Sequence, residues 1–290
     1  MSTVLLATPE HVGDGRLHVQ LLDVGHGDAV IAVSPTGRLA LIDGGPADAS
    51  AHLRAKLGEL IKVPKGHKGA RAIEVVVVTQ AAPEHFGALG ALLRESPPKT
   101  LVIPRDGPKG LAELASDLKE KGTVVTEAQD VALSVDLGGD SSVEVLGAGG
   151  ALAARLSYGQ TSIWVMGDSP QLEPKVETSA NAQATVLMAT GHGSADSSAG
   201  GFVKMVRPEA VVVSVGAGNG AGLPDRAALE RLGADGARVF RTDLDGDLTG
   251  ESDGAHLTLS PSKPMAGAGA ETFTFPAPAP KPNAPRKGKR

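Results

Sequence analysis

Several acidic residues and histidines directly follow apolar, strand-like segments of the sequence. Because the loops after the strands of α/β proteins build many of their sites, we expect four of these residues to lie close together: Asp43, His85, Asp168 and His192. Carboxylates and imidazoles at one point can ligate a divalent ion or transfer protons. The four residues come from LIDGG (41–45), VTQAAPEHFGAL (78–89), VMGDS (165–169) and ATGHGS (189–194), and a further stretch of this kind is LDVGHGDA (22–29).

The segments that must position these residues alternate between strand-like and helical patterns from Leu17 to about Leu259. Short runs rich in Val and Ile are typical of buried strands, and apolar residues at helical spacing predict helices. The first three strands follow one another through Gly-containing turns, which predicts an antiparallel meander, whereas the later strands alternate with helices. The pattern predicts an α/β (α+β) fold with two sheets in the core and helices on both faces, an αββα layering. The predicted helices are 50–63, 83–96, 110–122, 197–206 and 224–233, and the predicted strands are 17–24, 29–34, 38–43, 73–79, 100–104, 154–159, 161–167, 184–190, 209–216 and 237–242.

The composition of the 290 residues excludes several classes of protein. With 41% hydrophobic residues the chain can bury a full core, so wholesale disorder is excluded. No apolar run approaches the roughly 18 residues that span a bilayer, and the N-terminus lacks the pattern of a signal peptide, so we expect no membrane partner and a cytoplasmic location. Because the sequence has no cysteine, any metal would need His, Asp or Glu as ligands.

Charge and proline content divide the chain into a lead-in at 1–16, a domain at 17–260 and a tail at 261–290. The tail holds seven of the 20 prolines, and its six basic residues against one acidic residue, Glu271, give it a charge of +5 in a chain of net charge −5. Such a Pro- and Ala-rich sequence cannot build a core, so we expect the tail to be disordered. Its basic end, 281–290, could hold nucleic acid through phosphates, although aromatic residues that stack on bases make up only 2% of the chain.

The order of the motifs resembles the metallo-β-lactamase fold superfamily, and in particular the hydrolase domain at the C-terminus of ComEC-type DNA-uptake proteins. LDVGHGD is similar to the opening D-V-G-Q-G-D of that group, and LIDGG is similar to its L-I-D-x-G. SYGQTSIWVMGD resembles the strand pair that ends in the metal-bridging aspartate, and GHGS resembles the last metal motif. The resemblance covers most of 17–259 and implies a four-layer αββα sandwich of metallo-β-lactamase type.

The first metal motif of this superfamily, T-H-x-H-x-D-H-x-G, is altered in residues 79–87. The two histidines that hold the first metal correspond to Gln80 and Ala82, and no H-x-H pair occurs elsewhere in the sequence. Alanine cannot coordinate a metal, and an amide is a poor ligand for zinc. The resemblance therefore implies that the first metal position is lost.

The resemblance assigns the second metal position to Glu84, His85, Asp168 and His192. Two imidazoles and two carboxylates could hold one zinc, manganese or iron ion. Glu84 is one methylene longer than the aspartate of the motif, so its oxygen reaches a different point unless the backbone shifts. We expect either no cofactor or one divalent metal ion.

Further residues near these motifs are candidates for catalysis or for support of the site. Asp168 and His26 are the candidate catalytic residues, although a loop histidine bonded to the backbone explains His26 equally well. Four residues are expected to support the site: Asp23 and Asp28, which could fix the VGHGD turn, Asp43, which could brace 79–87, and Gln80.

These observations leave open two functions for the domain and one for the tail. The first is a non-catalytic or weakly active binding or regulatory module, a pseudoenzyme with an unidentified protein partner, because a lost first metal removes the two-ion clamp of such hydrolases. The alternative is a mononuclear metal-dependent hydrolase of phosphodiester or other ester bonds. In a third hypothesis the basic tail recruits the domain to nucleic acid.

Overall fold

The computed structural model describes residues 13–61, 72–128, 132–263 and 271–278, so that lead-in residues 1–12 and the basic segment 279–290 lie outside the described residues. The described residues form sixteen strands: β1 (Leu17–Leu21), β2 (Val30–Val33), β3 (Leu39–Ile42), β4 (Ile73–Val77), β5 (Thr100–Pro104), β6 (Val124–Ala128), β7 (Ala132–Asp136), β8 (Ser141–Ala148), β9 (Ala151–Tyr158), β10 (Thr161–Met166), β11 (Val186–Met188), β12 (Ala210–Val213), β13 (Arg238–Arg241), β14 (Leu248–Ser252), β15 (His256–Pro261) and β16 (Phe273–Pro276).

Eight α-helices lie within the same described ranges: α1 (Ser50–Ile61), α2 (Pro83–Phe86), α3 (Leu89–Glu95), α4 (Lys109–Glu120), α5 (Leu172–Glu177), α6 (Gly200–Val206), α7 (Arg226–Gly233) and α8 (Thr242–Asp245). Short 3-10 helices occur at Ala47–Ala49 and Thr190–Gly193. No helix in the described part of the chain combines the length and the apolar character that crossing a bilayer requires.

The strands form two mixed sheets. The first has the strand order β16-β15-β14-β1-β2-β3-β4-β5-β6, and the second has the order β13-β12-β11-β10-β9-β8-β7. As predicted, β1, β2 and β3 form an antiparallel meander, while β3, β4 and β5 run parallel. The strands from β10 to β13 are also parallel. Because parallel neighbours end at the same edge of a sheet, the loops after β3 and β4 lie side by side, as do the loops after β10 and β11.

Apolar side chains hold the elements together in four layers. The inner faces of the two sheets share one core, which includes Leu21 and Val77 from the first sheet and Val165 and Val186 from the second. Helices α1, α3 and α4 cover the outer face of the first sheet, and α5, α6 and α7 cover the second sheet around Trp164. Each large apolar side chain that is fully buried contributes about 1.5–3 kcal/mol. The predicted αββα layering is confirmed.

The C-terminal boundary of the domain lies later than the predicted residue 260. Strand β16 falls inside the tail that was expected to be disordered, and it pairs antiparallel with β15. The rings of Phe273 and Phe275 lie 5.6 and 6.3 Å from the ring of Phe240. The predicted disorder is therefore wrong for residues 271–278, because the two phenylalanines give this segment an apolar face to pack.

A polar cluster around Asp247 joins helix α1 to the adjoining ends of β1 and β14 in the first sheet. Asp247 is 8% exposed, and its carboxylate accepts hydrogen bonds from the backbone N–H of Asp23 and from the ring of His52, both at 2.9 Å. The ammonium group of Lys56 lies 3.2 Å from the other oxygen. Burial alone would raise the pKa of Asp247, but these contacts outweigh burial and lower the pKa below its ordinary value.

We expect the Asp247→Asn variant to have a free energy of unfolding lower by about 1–3 kcal/mol at neutral pH, the usual range for hydrogen bonds to a charged group. When folding lowers the pKa of a carboxyl group, the group stabilises the folded protein at pH values above its ordinary pKa of 3.8. This stabilisation is lost as the pH falls through the pKa of the folded state. The difference between the wild type and the variant in urea unfolding should therefore stay constant above about pH 5 and shrink as the pH falls from about 5 to below the ordinary pKa. A difference that stays the same over this range would contradict the assignment.

Candidate metal centre

Three of the predicted site residues meet where the two sheets end. Asp168 follows β10, His192 lies in the 3-10 helix after β11, and His85 lies in α2 after β4. The Nε2 atom of His85 is 2.9 Å from Oδ2 of Asp168, and the Nε2 atom of His192 is 3.5 Å from the same oxygen. His85 is fully buried and His192 is 4% exposed, whereas the Asp168 side chain is 23% exposed. The cluster is therefore buried on the histidine side and open to solvent at Asp168.

Hydrogen bonds at the other ring nitrogens fix the direction of both imidazoles. The Nδ1 atom of His192 lies 2.8 Å from the backbone carbonyl oxygen of Ser214, and the Nδ1 atom of His85 lies 3.0 Å from Oδ2 of Asp43. A carbonyl or carboxylate oxygen only accepts, so both Nδ1 atoms carry the proton. In their neutral forms both Nε2 atoms then direct a lone pair toward the carboxylate of Asp168. Three electron-pair donors facing one point require a cation between them, either a proton or a metal ion.

The charges of the cluster lead to the same conclusion. Burial lowers the pKa of each histidine, but the carboxylates outweigh it: they raise the pKa of His192 to about 9 and the pKa of His85 well above its ordinary value. Burial alone would raise the pKa of Asp168, yet its contacts with the two histidines hold it well below its ordinary value. The site therefore stabilises positive charge next to an ionised carboxylate.

The donor atoms of His85, Asp168 and His192 fit a single divalent ion. All three lie within 4.8 Å of one another. Ligand atoms about 2.0–2.2 Å from a tetrahedral zinc ion are roughly 3.3–3.6 Å apart, close to the separations of 2.9 and 3.5 Å observed here. Nε2 of His192 is buried with no hydrogen-bond partner among the described residues, which such an ion would explain. Three protein ligands leave the fourth position free, as in catalytic zinc sites.

Asp43 fixes the His85 ring through Nδ1, the ring nitrogen that does not face Asp168. It is fully buried at the end of β3, with a φ of 58°. Its carboxylate accepts hydrogen bonds from the backbone N–H of Thr79 at 2.7 Å, from the Thr79 hydroxyl and from the His85 ring. A carboxylate behind a metal-ligating histidine fixes the ring and makes it a stronger ligand. Asp43 thus couples the loop after β4 to the loop after β3.

Glu84, the fourth predicted ligand, lies outside this cluster of three donors. Its carboxylate does not lie within 4.8 Å of all three other donor atoms, and its side chain is half-buried. The backbone of Glu84 is held against the VGHGD turn, since a Cβ atom on Gly27 would lie 2.1 Å from the Glu84 carbonyl oxygen. With the backbone fixed there, the longer side chain ends at a different point from that of an aspartate.

The remaining candidates occupy three different places. Asp23 lies away from the cluster, where its carboxylate accepts from Lys263 at 2.9 Å and from its own turn at Gly25. Asp28 is buried, with Oδ2 3.8 Å from Nδ1 of His85, and burial raises its pKa to about 6. Asp28 therefore lies against His85, whereas Asp23 fixes its own turn and binds Lys263.

His26 lies beside the cluster, whereas Gln80 lies against the start of β9. His26 is exposed, its ring centre is 4.3 Å from that of His192, and burial together with the charge of His192 lowers its pKa. Gln80 forms an isolated β-bridge with Ala151, and its Oε1 atom is buried with no hydrogen-bond partner in the described ranges. His26 is therefore a neutral imidazole at neutral pH, and Gln80 has an unused acceptor.

Sequence reasoning missed the contributions of Ser214 and Thr79. Ser214 holds His192 through its backbone carbonyl and the VGHGD turn through its hydroxyl, which donates to the carbonyl of Gly27 at 2.6 Å. A backbone carbonyl leaves no signal in the residue types. Thr79 could have been found, because it matches the threonine of the T-H-x-H motif. Its hydroxyl donates to Asp43.

Comparison with known proteins identifies relatives of the sequence and of the fold. No protein-family model matches the sequence. The chain is 27% identical over 255 residues to ComE operon protein 3 of Bacillus subtilis (strain 168); the match covers 79% of this chain and 32% of that protein. The chain thus spans about a third of the length of this relative.

Solved structures with similar folds include a CmlA β-hydroxylase mutant, with a TM-score of 0.52, 14% identity and coverage of 80% of this chain and 53% of that one. Zinc-bound PqqB from Methylobacterium extorquens aligns with a TM-score of 0.51 and 13% identity over 77% of this chain and 97% of that one. The metallo-β-lactamase fold protein YhfI from Bacillus subtilis aligns with a TM-score of 0.49 and 14% identity over 78% and 95% of the two chains.

The layering, the strand-end site and these similarities define a protein of the metallo-β-lactamase fold whose sequence is similar to that of a ComE operon protein. The fold class and the resemblance predicted from the sequence are confirmed. The donor set suits a divalent metal ion.

Proposed function

We propose that this protein is a single-metal hydrolase of phosphodiester or other ester bonds. One observation carries the proposal: His85, Asp168 and His192 direct three electron-pair donors at one point, with both Nδ1 atoms already bonded elsewhere. Zinc, manganese and iron are the ions that such a donor set suits. Gln80 and Ala82, which replace the histidines of the first metal motif, are the reason to propose one ion rather than two.

The residues of the chain divide the chemistry between them. A bound divalent ion would supply Lewis acidity to a substrate oxygen. Asp168 stays ionised because its pKa is low, and its unpartnered Oδ1 can accept a hydrogen bond from an attacking water and orient it. His26, neutral and exposed beside His192, can take up or return a proton at the leaving group. Asp43 and the Ser214 carbonyl keep the two ligand rings in place.

The loss of the first metal motif supports a second candidate, a binding or regulatory module that keeps the pocket without efficient catalysis. Gln80 and Ala82 cannot provide the second ion that stabilises developing charge in two-metal hydrolases. Each 1.4 kcal/mol of lost stabilisation slows a reaction about tenfold, so the missing ion could abolish useful turnover. An unidentified protein partner, a cytoplasmic location and nucleic-acid contact through 281–290 remain proposals that accompany this candidate.

Metal analysis of the full chain, purified without chelator, tests the proposal. We expect about one equivalent of zinc, manganese or iron, falling below a tenth of an equivalent in a His85→Ala, His192→Ala double variant, because two of the three ligands are gone. His256→Ala, which changes an exposed histidine away from the cluster, is the control and should keep the full equivalent. Less than a tenth of an equivalent in the wild type, after soaking with each ion, would contradict the proposal.

Activity then separates the two candidates. Hydrolysis of bis(p-nitrophenyl) phosphate that requires the ion and is lost in the double variant would support the hydrolase. One bound equivalent without hydrolysis of this or of simple carboxylic esters would favour the binding module.

A further inference from the structure

The loop after His192 is fixed from both sides by charged side chains. This segment, residues 193–199, is called the His192 loop below. Gly191 and His192 both have left-handed backbone angles, with φ values of 57° and 53°. Such angles favour glycine and are strained for a histidine, so they persist only where the surrounding structure enforces them. The direction of the His192 ring therefore depends on whatever holds this loop.

Helix α7 holds the carbonyl groups of the His192 loop. One nitrogen of the Arg231 guanidinium, Nη2, donates to the carbonyl oxygens of Ala195 and Ser197, both at 2.8 Å. At the start of the loop, the backbone N–H of Asp225 donates to the carbonyl of Gly193 at 2.9 Å. Both ends of the loop are thus tied to one helix.

Helix α5 holds the amide groups of the same loop. The carboxylate of Glu173 accepts from the backbone N–H of Ser198 at 2.6 Å and from that of Ala199 at 3.0 Å. Glu173 is only 4% exposed, and Ser198 has a φ of 53° and is fully buried. Hydrogen bonds to a charged acceptor are stronger than those to a neutral one, which suits a carboxylate that must hold a strained backbone.

Among the described residues, Glu173 and Arg231 have no charged partner. Neither forms an ion pair within the part of the chain that the structure describes. Both charged groups instead form hydrogen bonds with the backbone of the His192 loop, which directly follows the ligand residue His192. From this geometry we infer that Glu173 and Arg231 are positioning residues for His192, which keep its Nε2 atom aimed at Asp168 while Nδ1 stays on the Ser214 carbonyl.

This inference rests on the proposed function for its main test, which is the zinc affinity of the full chain. We expect Arg231→Met and Glu173→Gln each to raise the dissociation constant for Zn²⁺ by about 10-fold or more in competition with a chelating dye, the usual effect of losing a group that orients a ligand. Arg226→Met on α7, where the side chain is 93% exposed, and Glu177→Gln on α5 are matched controls and should change it less than about twofold.

A second measurement needs no metal and distinguishes the two proposals. The ring ¹⁵N shifts of His192 in the metal-free protein, recorded at a pH above its raised pKa of about 9 so that the ring is neutral, should show one tautomer, with the proton on Nδ1, in the wild type and a mixture in the Arg231 and Glu173 variants. If the wild type binds no Zn²⁺, the proposed function fails, and the ring spectrum still decides the positioning role. Should Arg231→Met not fold, Arg231→Lys, which retains the charge but not the fork of donors, replaces it. Variants that unfold at lower urea concentration but keep the wild-type affinity and tautomer would overturn the inference.

Discussion

Replacing Gln80 and Ala82 together by histidine is expected to raise the bound divalent metal from about one to about two equivalents per chain. The two positions correspond to the histidines of the first metal motif, and neither present side chain is a useful ligand. A third donor is already in place, because Oδ1 of Asp168 is buried with no hydrogen-bond partner among the described residues. The backbone is also suitably placed: a Cβ atom on Gly167, next to Asp168, would lie 2.9 Å from the Thr79 carbonyl oxygen.

The two single variants are the controls for this prediction. Gln80→His or Ala82→His alone should stay near one equivalent, since a single added imidazole leaves the position one ligand short. In the double variant the hydrolysis of bis(p-nitrophenyl) phosphate should rise at least about tenfold, because two ions share the charge that develops on the phosphoryl group. A double variant that folds and keeps one equivalent would show that more than these two residues separates this site from a two-metal centre.

The parts of the site that could be predicted from the sequence are those in which the residue type itself does the chemistry. His85, Asp168 and His192 follow apolar strands that are recognisable by composition, and parallel pairing then brings their loops together. The prediction of Glu84 as a ligand rested on the motif alone and could not include the close approach of its backbone to Gly27, a contact between segments far apart in the chain. Neither the Ser214 carbonyl nor the two helices that hold the His192 loop could be foreseen, since these contacts use backbone groups that every residue has.

The missed strands have a related explanation. Strand β8 alternates buried and half-buried residues along Ser141–Ala148, so it lacks the apolar run by which the buried strands were recognised. Strand β16 is short and ends in a proline. It forms because its backbone pairs with β15, which lets Phe273 and Phe275 pack against the core. Local pattern therefore predicted the central strands, while pairing with distant segments decided the outer ones.

Replacing Asp43 by asparagine is expected to lower the free energy of unfolding by about 3–5 kcal/mol, the usual cost of removing one partner from a buried charged pair. Asparagine tolerates the φ of 58° at this position, so the substitution changes the charge and the acceptors without straining the backbone. The carboxylate accepts from the Thr79 backbone, the Thr79 hydroxyl and the His85 ring, and a carboxamide cannot accept from all three. Urea unfolding at neutral pH measures the loss, and Asp48→Asn, at an exposed position in the neighbouring 3-10 helix, should be nearly neutral.

The same substitution should also weaken metal binding by more than the loss of one hydrogen bond. With a carboxamide N–H₂ facing it, Nδ1 of His85 becomes the acceptor, and the ring proton moves to Nε2. That proton then points at Oδ2 of Asp168, 2.9 Å away, and occupies the position where the ion would bind. We therefore expect the dissociation constant for Zn²⁺ to rise by about 10–100-fold in Asp43→Asn, the range found when partners behind a ligand are removed. An unchanged constant in a destabilised but folded variant would mean that His85 keeps its tautomer without Asp43 and that Asp43 serves stability alone.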